Sequence, residues 1–420
     1  MNVLVIISGS LGHYHGIRRF FDYFNSANDY KILYAFHGFT NKNQELNPDQ
    51  YFLNSYPAFL NYEFRYTKKP SEIYKLKRDD IIRKNRTHTF RKLFELFHPD
   101  VILLDNHAFT DGFLIKKEFT NLHSKTLFFQ TRLSTELGVD TFYGSYKGKK
   151  LKWISSNKIL THQKLKRIWY RLLMPGYSKY HQLDSYKKGM NLQLNYQRYR
   201  LPSVSNIPEI IISGKNLSKY TTINQHFFGL CISPKIEEDK KPNPIQILVS
   251  AGSVATINIY FSRYISLVQK IIARLPQFHF VLPEGITLAR KFPNISFYTW
   301  EEYQDVLSSS HIHITHGGIN SIKDSLTYGI PFLVCPIDWQ SDSIHNALLF
   351  NELKLSKIWN IQTDDEECVI RKLEELTDKK YSKRIKEFIY LDNSQYKPND
   401  VGIAFDSLIR NENWSVSHWP

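Results

Sequence analysis

Short runs of apolar residues alternate with amphipathic helical stretches along much of the chain. Val3–Ile7, Lys31–Phe36 and Val101–Leu104 are predicted strands, and helical stretches separate them. The alternation resumes at Ile245–Ser250 and continues to Pro331–Cys335. Strands that alternate with helices favour parallel sheets covered by helices, so this feature predicts an α/β fold.

The length of the chain predicts two domains. Its 420 residues are enough for two ordinary domains, each with its own core. Prolines and a cluster of charges between Ser233 and Pro244 predict a linker. We therefore expect an N-terminal Rossmann-like domain at residues 1–235 and a C-terminal one at residues 236–400. A terminal helix and tail at residues 401–420 are expected to return to the first domain.

The composition excludes several classes of protein. Hydrophobic residues make up 42% and charged residues 23% of the chain, which is typical of a globular protein. No apolar stretch approaches the roughly 18 residues of a transmembrane helix. The apolar start Met1–Ile7 lacks the positive region and cleavage pattern of a signal peptide, so it is predicted as a buried strand. The three cysteines suggest neither a disulfide framework nor a zinc site, and a reducing, cytoplasmic setting is expected.

The net charge of +15 is concentrated in one segment. Residues 147–200 contain 14 Lys and Arg and one acid, Asp184. An apolar helical stripe lies within this segment: Leu165, Ile168, Trp169 and Leu172. Such a helix either binds anionic lipid headgroups or is an ordinary amphipathic helix with a solvated basic face. Nucleic-acid-binding proteins also concentrate positive charge, so that class stays open on charge alone.

Two strand-to-helix turns in the second half are suited to bind a diphosphate. The first follows the strand Ile245–Ser250 and contains Gly252 and Ser253, and the second is Thr315–Ser321. Glycines let the backbone approach an anion, and a helix N-terminus offers unpaired N–H groups. Close packing of a strand on a helix also selects glycine, so the turns alone leave both interpretations open.

A longer string extends from Trp300 to Ala347. It is W-x4-DVL-x7-THGGINS-x2-D-x4-GIP-x4-P-x9-NA. The string resembles the donor signature of UDP-sugar-dependent glycosyltransferases, the superfamily of plant UDP-glucosyltransferases, UDP-glucuronosyltransferases and bacterial macrolide and carotenoid glycosyltransferases. This resemblance implies the GT-B fold, in which two Rossmann-like parallel-sheet domains face a cleft and a C-terminal helix crosses back to the first domain.

The resemblance also assigns roles to residues of the string. Trp300 is expected to stack on the uracil, and Asp324, in place of the family's usual Glu, to accept hydrogen bonds from the ribose. The phosphates are expected to be held by residues of both turns: Gly252, Ser253, His316, Gly318, Asn320 and Ser321. By residue type alone, Trp300 can also be a core aromatic and Asp324 a solvated helix residue.

Two positions differ from the family pattern. Tyr303 stands where the family commonly has Gln, and Asp342-Ser343 stands at the family's sugar-binding Asp-Gln pair. Either Gln340 supplies the missing amide beside Asp342, or the sugar is held differently. The resemblance therefore does not identify the donor sugar.

The predicted loop Ser8–Gly16, between the first strand and a predicted helix Ile17–Phe24, supplies a candidate base. Gly12-His13 resembles the family's N-terminal motif, whose His is the catalytic base, and Asp105 resembles the Asp that orients it. An inverting transfer to a hydroxyl needs such a base. His15 and His107 are alternatives to His13, and Asp105 can also be a helix cap.

Together these features predict an inverting glycosyltransferase. We expect it to move a sugar from a UDP- or dTDP-sugar to a hydroxyl of a hydrophobic or lipid-like acceptor, in the cytoplasm or at the inner membrane face through residues 147–200. We expect no cofactor beyond the nucleotide-sugar substrate, no nucleic acid partner, and no metal, because the string contains no Asp-x-Asp clamp. The alternatives are a UDP-GlcNAc 2-epimerase-like enzyme on the same fold, which would need acidic residues in the cleft, and a non-catalytic basic protein that binds nucleic acid or membrane.

Overall fold

The computed structural model divides the chain into two compact units. Unit 1 comprises Met1–Thr141, Ser155–Cys231 and Tyr396–Pro420, and unit 2 comprises Phe142–Ile154 and Ile232–Gln395. These bounds differ from the predicted domains at residues 142–154, 232–235 and 396–400. The structure describes residues 1–7, 11–24, 30–36, 48–53, 81–105, 108–119, 122, 125–131, 142–147, 150–155, 194–195, 203–204, 208–218, 225–236, 243–250, 252, 260–337 and 342–411.

The described strands and helices follow one another in the alternating order that the sequence predicts. The strands are β1 (Asn2–Ile7), β2 (Lys31–Phe36), β3 (Gln50–Phe52), β4 (Val101–Asp105), β5 (Lys125–Gln130), β6 (Phe142–Lys147), β7 (Lys150–Ser155), β8 (Leu194–Asn195), β9 (Ser203–Val204), β10 (Glu209–Ile211), β11 (Gln225–Phe227), β12 (Gln246–Val249), β13 (His279–Pro283), β14 (Ile295–Tyr298), β15 (Ile312–Thr315), β16 (Phe332–Val334) and β17 (Ser356–Ile358). The helices are α1 (Leu11–Phe24), α2 (Ile81–Phe97), α3 (Phe109–Glu118), α4 (Phe261–Arg274), α5 (Tyr303–Ser309), α6 (Ile319–Thr327), α7 (Asp342–Glu352), α8 (Glu366–Leu376), α9 (Lys379–Gln395) and α10 (Pro398–Arg410).

The sheet of unit 1 is parallel and has the order β11-β10-β5-β4-β1-β2-β3. The strand order therefore reverses at β1, which lies between β2 and β4. Ile6 pairs with Leu104, so the carboxyl ends of β1 and β4 lie side by side. Such a reversal point is where open α/β sheets usually bind ligands.

Alternate residues of β1 enter two separate cores. Val3, Val5 and Ile7 pack with side chains of α1 and α10, whereas Leu4 and Ile6 pack with side chains of α2 and α3. The period of two is the strand period, and burial on both faces explains why the run is apolar without interruption.

The sheet of unit 2 is also parallel, with the order β14-β13-β12-β15-β16-β17. This is the Rossmann order, and its reversal point lies between β12 and β15. Val249 pairs with Ile314, so the turns that follow these two strands are neighbours. The predicted fold class, an α/β protein with two parallel Rossmann-like sheets, is confirmed.

The C-terminal helix α10 belongs to unit 1, as predicted. Its Phe405 packs edge-on against Phe20 and Phe21 of α1, with ring centroids 5.5 and 5.6 Å apart. Tyr30 donates a hydrogen bond of 2.9 Å to Asp406. The helix starts at Pro398, a residue well suited to the first turn because its missing N–H needs no partner there.

Two predictions concern residues outside those described. The apolar stripe at residues 165–172 and most of the basic segment 147–200 lie outside the described ranges. Within the described ranges, none of the helices has the length and apolar character needed to cross a membrane.

Candidate active site

The reversal point of unit 1 brings together His13 and Asp105. His13 lies in the first turn of α1, directly beyond β1, and Asp105 is the last residue of β4. The His13 Nδ1 atom lies 2.6 Å from Asp105 Oδ2, although 92 residues separate them in the sequence. The Asp105 side chain is 1% exposed and that of His13 17% exposed. The predicted pair therefore forms a hydrogen bond in which Asp105 is buried and only the His13 side chain is partly accessible to solvent.

The hydrogen bond fixes the tautomer of the imidazole. An ionised carboxylate only accepts hydrogen bonds, so Nδ1 of His13 carries the hydrogen and Nε2 carries the lone pair. A histidine in this state can accept a proton at Nε2, and the buried Asp105 carboxylate stabilises the cation that results.

The predicted loop Ser8–Gly16 is wrong from Leu11 onward, because α1 begins there. Gly12 and Gly16 suggested a loop, but a glycine inside a helix costs only about 1 kcal/mol. Burial of Ile17, Phe20 and other apolar side chains of α1 outweighs that cost.

His15, the first alternative to His13, is also in α1. It is exposed, and its ring packs at 5.2 Å from that of Tyr14. The carboxylate of Asp105 meets His13, not His15. The second alternative, His107, is outside the described residues.

The reversal point of unit 2 carries the two glycine turns. Gly252 follows β12 and has a positive φ of 81°, which glycine adopts readily. His316, Gly317 and Gly318 follow β15 and lead into α6. A Cβ atom at position 252 would lie 2.6–2.8 Å from three atoms of the His316 ring, and one at position 318 would lie 2.6 Å from its Nε2. The ring therefore fits against both turns only because both positions are glycine.

His316 combines partial exposure with a buried polar atom. The residue as a whole is partly exposed, but its Nδ1 is buried and has no hydrogen-bond partner among the described residues. Burial lowers the pKa of His316 to about 4, so the imidazole is neutral at pH 7. A buried polar atom without a partner is costly.

Internal hydrogen bonds close the second turn. Asn346 of α7 donates a hydrogen bond of 2.8 Å to the carbonyl of Gly317. Ser321 donates one of 2.8 Å to the carbonyl of Gly318, and its Oγ lies 2.7 Å from Oγ1 of Thr315. The hydroxyl of Ser321, predicted as a phosphate ligand, thus closes the turn in this structure. Asn346 received no role from the sequence, although it stands in the final Asn-Ala of the string.

Trp300 is a surface residue, which excludes the core interpretation. Its side chain is 64% exposed, and one face of its ring stacks on Tyr303 at 5.5 Å with an interplanar angle of 8°. Tyr303 donates a hydrogen bond of 3.4 Å to Asp324. Asp324 is 8% exposed, so it is not a solvated helix residue either. Tyr303, which departs from the family pattern, therefore links the predicted base-stacking residue to the predicted ribose ligand.

The remaining predicted ligands are only partly described. Asn320 lies in the first turn of α6 and Asp342 begins α7, and both are partly exposed. Ser253 and Gln340 are outside the described residues.

Two solved structures superpose on nearly the whole chain. The glycosyltransferase of kitacinnamycin superposes with a TM-score of 0.66 at 15% identity and covers 97% of this chain and 99% of its own. UGT2 of Phytolacca americana, complexed with UDP-2fluoro-glucose and pterostilbene, gives a TM-score of 0.61 at 14% identity and covers 98% and 100%. The fold is that of the GT-B glycosyltransferases, which confirms the resemblance read from the string.

A family model matches part of unit 2. Residues 279–391 match the glycosyltransferase family 28 C-terminal domain. The ecdysteroid UDP-glucosyltransferase of Lacanobia oleracea granulosis virus is 29% identical over 120 residues, which are 28% of this chain and 26% of the viral protein. The chain thus matches about a quarter of this curated relative's length.

Proposed function

We propose that the protein is an inverting glycosyltransferase. It transfers a sugar from a UDP- or dTDP-sugar to a hydroxyl of a hydrophobic or lipid-like acceptor, without a metal ion. The observation that carries this proposal is the His13–Asp105 hydrogen bond of 2.6 Å at the reversal point of unit 1. It supplies a base at the position where a Rossmann-like sheet binds its ligand.

The proposed reaction is a single displacement at the anomeric carbon. The acceptor oxygen forms a bond to that carbon while Nε2 of His13 takes the hydroxyl proton. The bond from the anomeric carbon to the diphosphate oxygen breaks, and its electron pair leaves with the nucleoside diphosphate. Asp105 stabilises the imidazolium that forms. Attack from the face opposite the leaving group inverts the configuration.

The departing diphosphate gains negative charge, which unit 2 is suited to stabilise. The N-terminus of α6, the Gly252 turn and His316 form the proposed diphosphate site. Because backbone N–H groups and a helix N-terminus carry out this task, the proposal requires no divalent cation.

The nucleoside is proposed to bind beside the diphosphate site. Its base stacks on the exposed face of Trp300, and its ribose hydroxyls donate to Asp324, which Tyr303 holds. The similarity of the chain to a UDP-glucosyltransferase, and of residues 279–391 to the family 28 domain, supports a nucleotide-sugar donor.

The acceptor class depends on composition alone. The basic, aromatic segment 147–200 favours a lipid-linked, anionic or membrane-resident acceptor and a peripheral location at the membrane. The epimerase alternative would use acidic residues in place of a histidine base, and the engagement of Asp105 by His13 favours transfer over it.

A product assay tests this proposal. The full chain is incubated with several UDP- and dTDP-sugars and a panel of hydrophobic alcohols and phenols, with and without EDTA. We expect glycoside formation that EDTA does not affect, with an anomeric configuration opposite to that of the donor by NMR. Retention of configuration, or activity that EDTA abolishes, would contradict the mechanism.

A further inference from the structure

A second histidine of the string, His313, lies beneath the proposed diphosphate site. It is in the middle of β15 and has no exposed surface. Nε2 of its ring lies 2.7 Å from Oγ of Ser250, and Nδ1 lies 2.7 Å from Oγ of Ser325. The first serine follows β12, and the second is in α6. One buried side chain thus joins the two elements that carry the glycine turns.

The hydrogens of this cluster can be assigned from the bonding partners. Ser325 donates its single hydroxyl hydrogen to the carbonyl of Ser321, at 3.0 Å. Nδ1 of His313 must therefore carry a hydrogen and donate it to Ser325. Nε2 is then an acceptor, and the hydroxyl of Ser250 donates to it. The carbonyl of Ile314 is a poorer acceptor for Ser250, because it lies 3.5 Å away.

The protonation state of His313 agrees with this assignment. Burial, with a smaller contribution from His316, lowers the pKa of His313 to about 3. The ring is therefore neutral at physiological pH, with one donor and one acceptor, and both are satisfied. A satisfied pair of hydrogen bonds in a buried site is worth more than the same pair in water and holds its partners in one arrangement.

The arrangement that it holds is the one that the diphosphate site needs. The His316 ring fits only between Gly252 and Gly318, where a single added carbon would lie 2.6 Å from the ring. A small shift of the β12 turn relative to α6 would change the space around His316. Ser250 lies two residues before Gly252, and Ser325 lies seven residues after Gly318. His313 therefore contacts both of the elements that enclose the His316 ring.

We propose that His313 is a positioning residue of the diphosphate site, which fixes the β12 turn relative to helix α6 through Ser250 and Ser325. This inference rests on the proposed function. His313 should therefore affect the part of the donor affinity that comes from the phosphates and leave the binding of base and ribose unchanged.

The test compares ligands that differ only in phosphate. Calorimetry measures the affinity of uridine, UMP and UDP for wild-type protein and for Ser250→Ala, which removes the donor to Nε2 and is the mildest change in the cluster. We expect Ser250→Ala to lower UDP affinity about tenfold while uridine affinity stays unchanged. Ser250→Thr retains a hydroxyl and should recover most of the loss. His313→Asn should lower UDP affinity by at least as much as Ser250→Ala.

A matched control distinguishes this role from a general structural one. Ser296→Ala removes another histidine–serine hydrogen bond of the same sheet, that of 2.8 Å with His279 of β13. It should leave the affinities of all three ligands unchanged. In steady-state assays, Ser250→Ala should lower kcat/KM for the donor and leave KM for the acceptor unchanged.

Each outcome bears on a different statement. Equal loss of uridine and UDP affinity in Ser250→Ala, or no loss of either, would contradict the role of His313. Absence of UDP and dTDP binding to the wild-type protein would contradict the proposed function itself.

Discussion

In the proposed function, the two units use the same place in the same type of sheet for different chemistry. Each has a histidine just beyond its strand-order reversal, His13 after β1 and His316 after β15. His13 is held by a buried carboxylate at 2.6 Å, whereas Nδ1 of His316 is buried without a hydrogen-bond partner among the described residues. A carboxylate neighbour prepares an imidazole to accept a proton. Glycines and a helix N-terminus prepare the surroundings of an imidazole for an anion. In this proposal, the strand order sets where a ligand binds, and the neighbours of the histidine set the chemistry that follows.

The largest expected effect separates the two histidines by turnover. His13→Ala should reduce turnover by roughly 10²–10⁴-fold, the usual contribution of a positioned general base. UDP affinity should stay unchanged, because the proposed donor site is in unit 2. Steady-state kinetics and calorimetry measure the two quantities. His15→Ala is the matched control in the same helix. An inactive His15→Ala variant beside a fully active His13→Ala variant would show that His13 is not the base.

The second prediction concerns the carboxylate that distinguishes His13. Asp105→Asn should reduce turnover by roughly 10²–10⁴-fold, because the amide neither selects the Nδ1–H tautomer nor stabilises the imidazolium. The effect should appear in kcat and leave the KM for the donor unchanged. Turnover within about twofold of wild type would show that the contact at 2.6 Å only anchors α1.

The third prediction removes the histidine of unit 2. His316→Ala should weaken UDP binding by about 1–3 kcal/mol, the cost of losing a hydrogen bond to a charged group. Uridine, which lacks phosphate, should bind as before. Calorimetry with both ligands measures the difference, and an unchanged UDP affinity would remove His316 from the proposed site.

The fourth prediction concerns pH and the buried imidazole of His313. Its pKa in the folded protein, about 3, is below the ordinary value of 6.5, so the unfolded chain binds a proton first as the pH falls. The free energy of unfolding should therefore fall by about 1.4 kcal/mol per pH unit on going below pH 6.5, as a contribution of this residue. Above pH 6.5 the stabilisation is fully present.

Urea unfolding at a series of pH values from 7 to 4 measures this slope, and hydrogen exchange of β15 and α6 monitors the opening of the region around His313. Asp and Glu residues also titrate in this range, so the comparison is with His313→Asn. The variant should show a shallower slope by about 1.4 kcal/mol per pH unit. Parallel slopes would mean that the histidine does not remain neutral in the folded state.

The smallest expected effect concerns the basic segment 147–200. It tests whether this segment binds anionic membranes, a property that the donor site of unit 2 does not need. Attraction to anionic headgroups is worth about 1 kcal/mol per Lys or Arg and weakens with salt. The protein should co-sediment with anionic vesicles at low salt and be released as salt rises. Changing Lys164, Arg167 and Arg171 to Glu should abolish sedimentation and leave UDP binding intact. Equal sedimentation with neutral and anionic vesicles would favour an ordinary solvated helix.

Much of the fold was predictable because its strands are uninterrupted apolar runs. The predicted strand Lys31–Phe36 agrees with β2 residue for residue, and the predicted Val101–Leu104 is one residue shorter than β4. The strand predicted at Pro331–Cys335 is shorter in the structure, Phe332–Val334. Ends of elements depend on local capping, which apolar periodicity does not report.

The supporting residues of the site were less predictable than its motif residues. Asn346, Tyr303 and His313 act through partners 29, 21 and 63 or 12 residues away. Those partners meet only when the elements that carry them pack together, so spacing along the chain carries no signal for them. His313 in particular is indistinguishable in sequence from a histidine on a strand face. Its role emerges from the two serines that the register brings to it.

The position of α10 has a consequence for the order in which the protein is made. The ribosome synthesises Pro398–Arg410 after all of unit 2, yet this helix covers Phe20 and Phe21 at the start of the chain. Domains usually fold in the order of synthesis, N-terminal first. Here unit 2 can complete its core while nascent unit 1 still exposes one aromatic face. The first unit to be translated is therefore the last to be finished, and chaperones that hold apolar surface would meet it throughout the synthesis of unit 2.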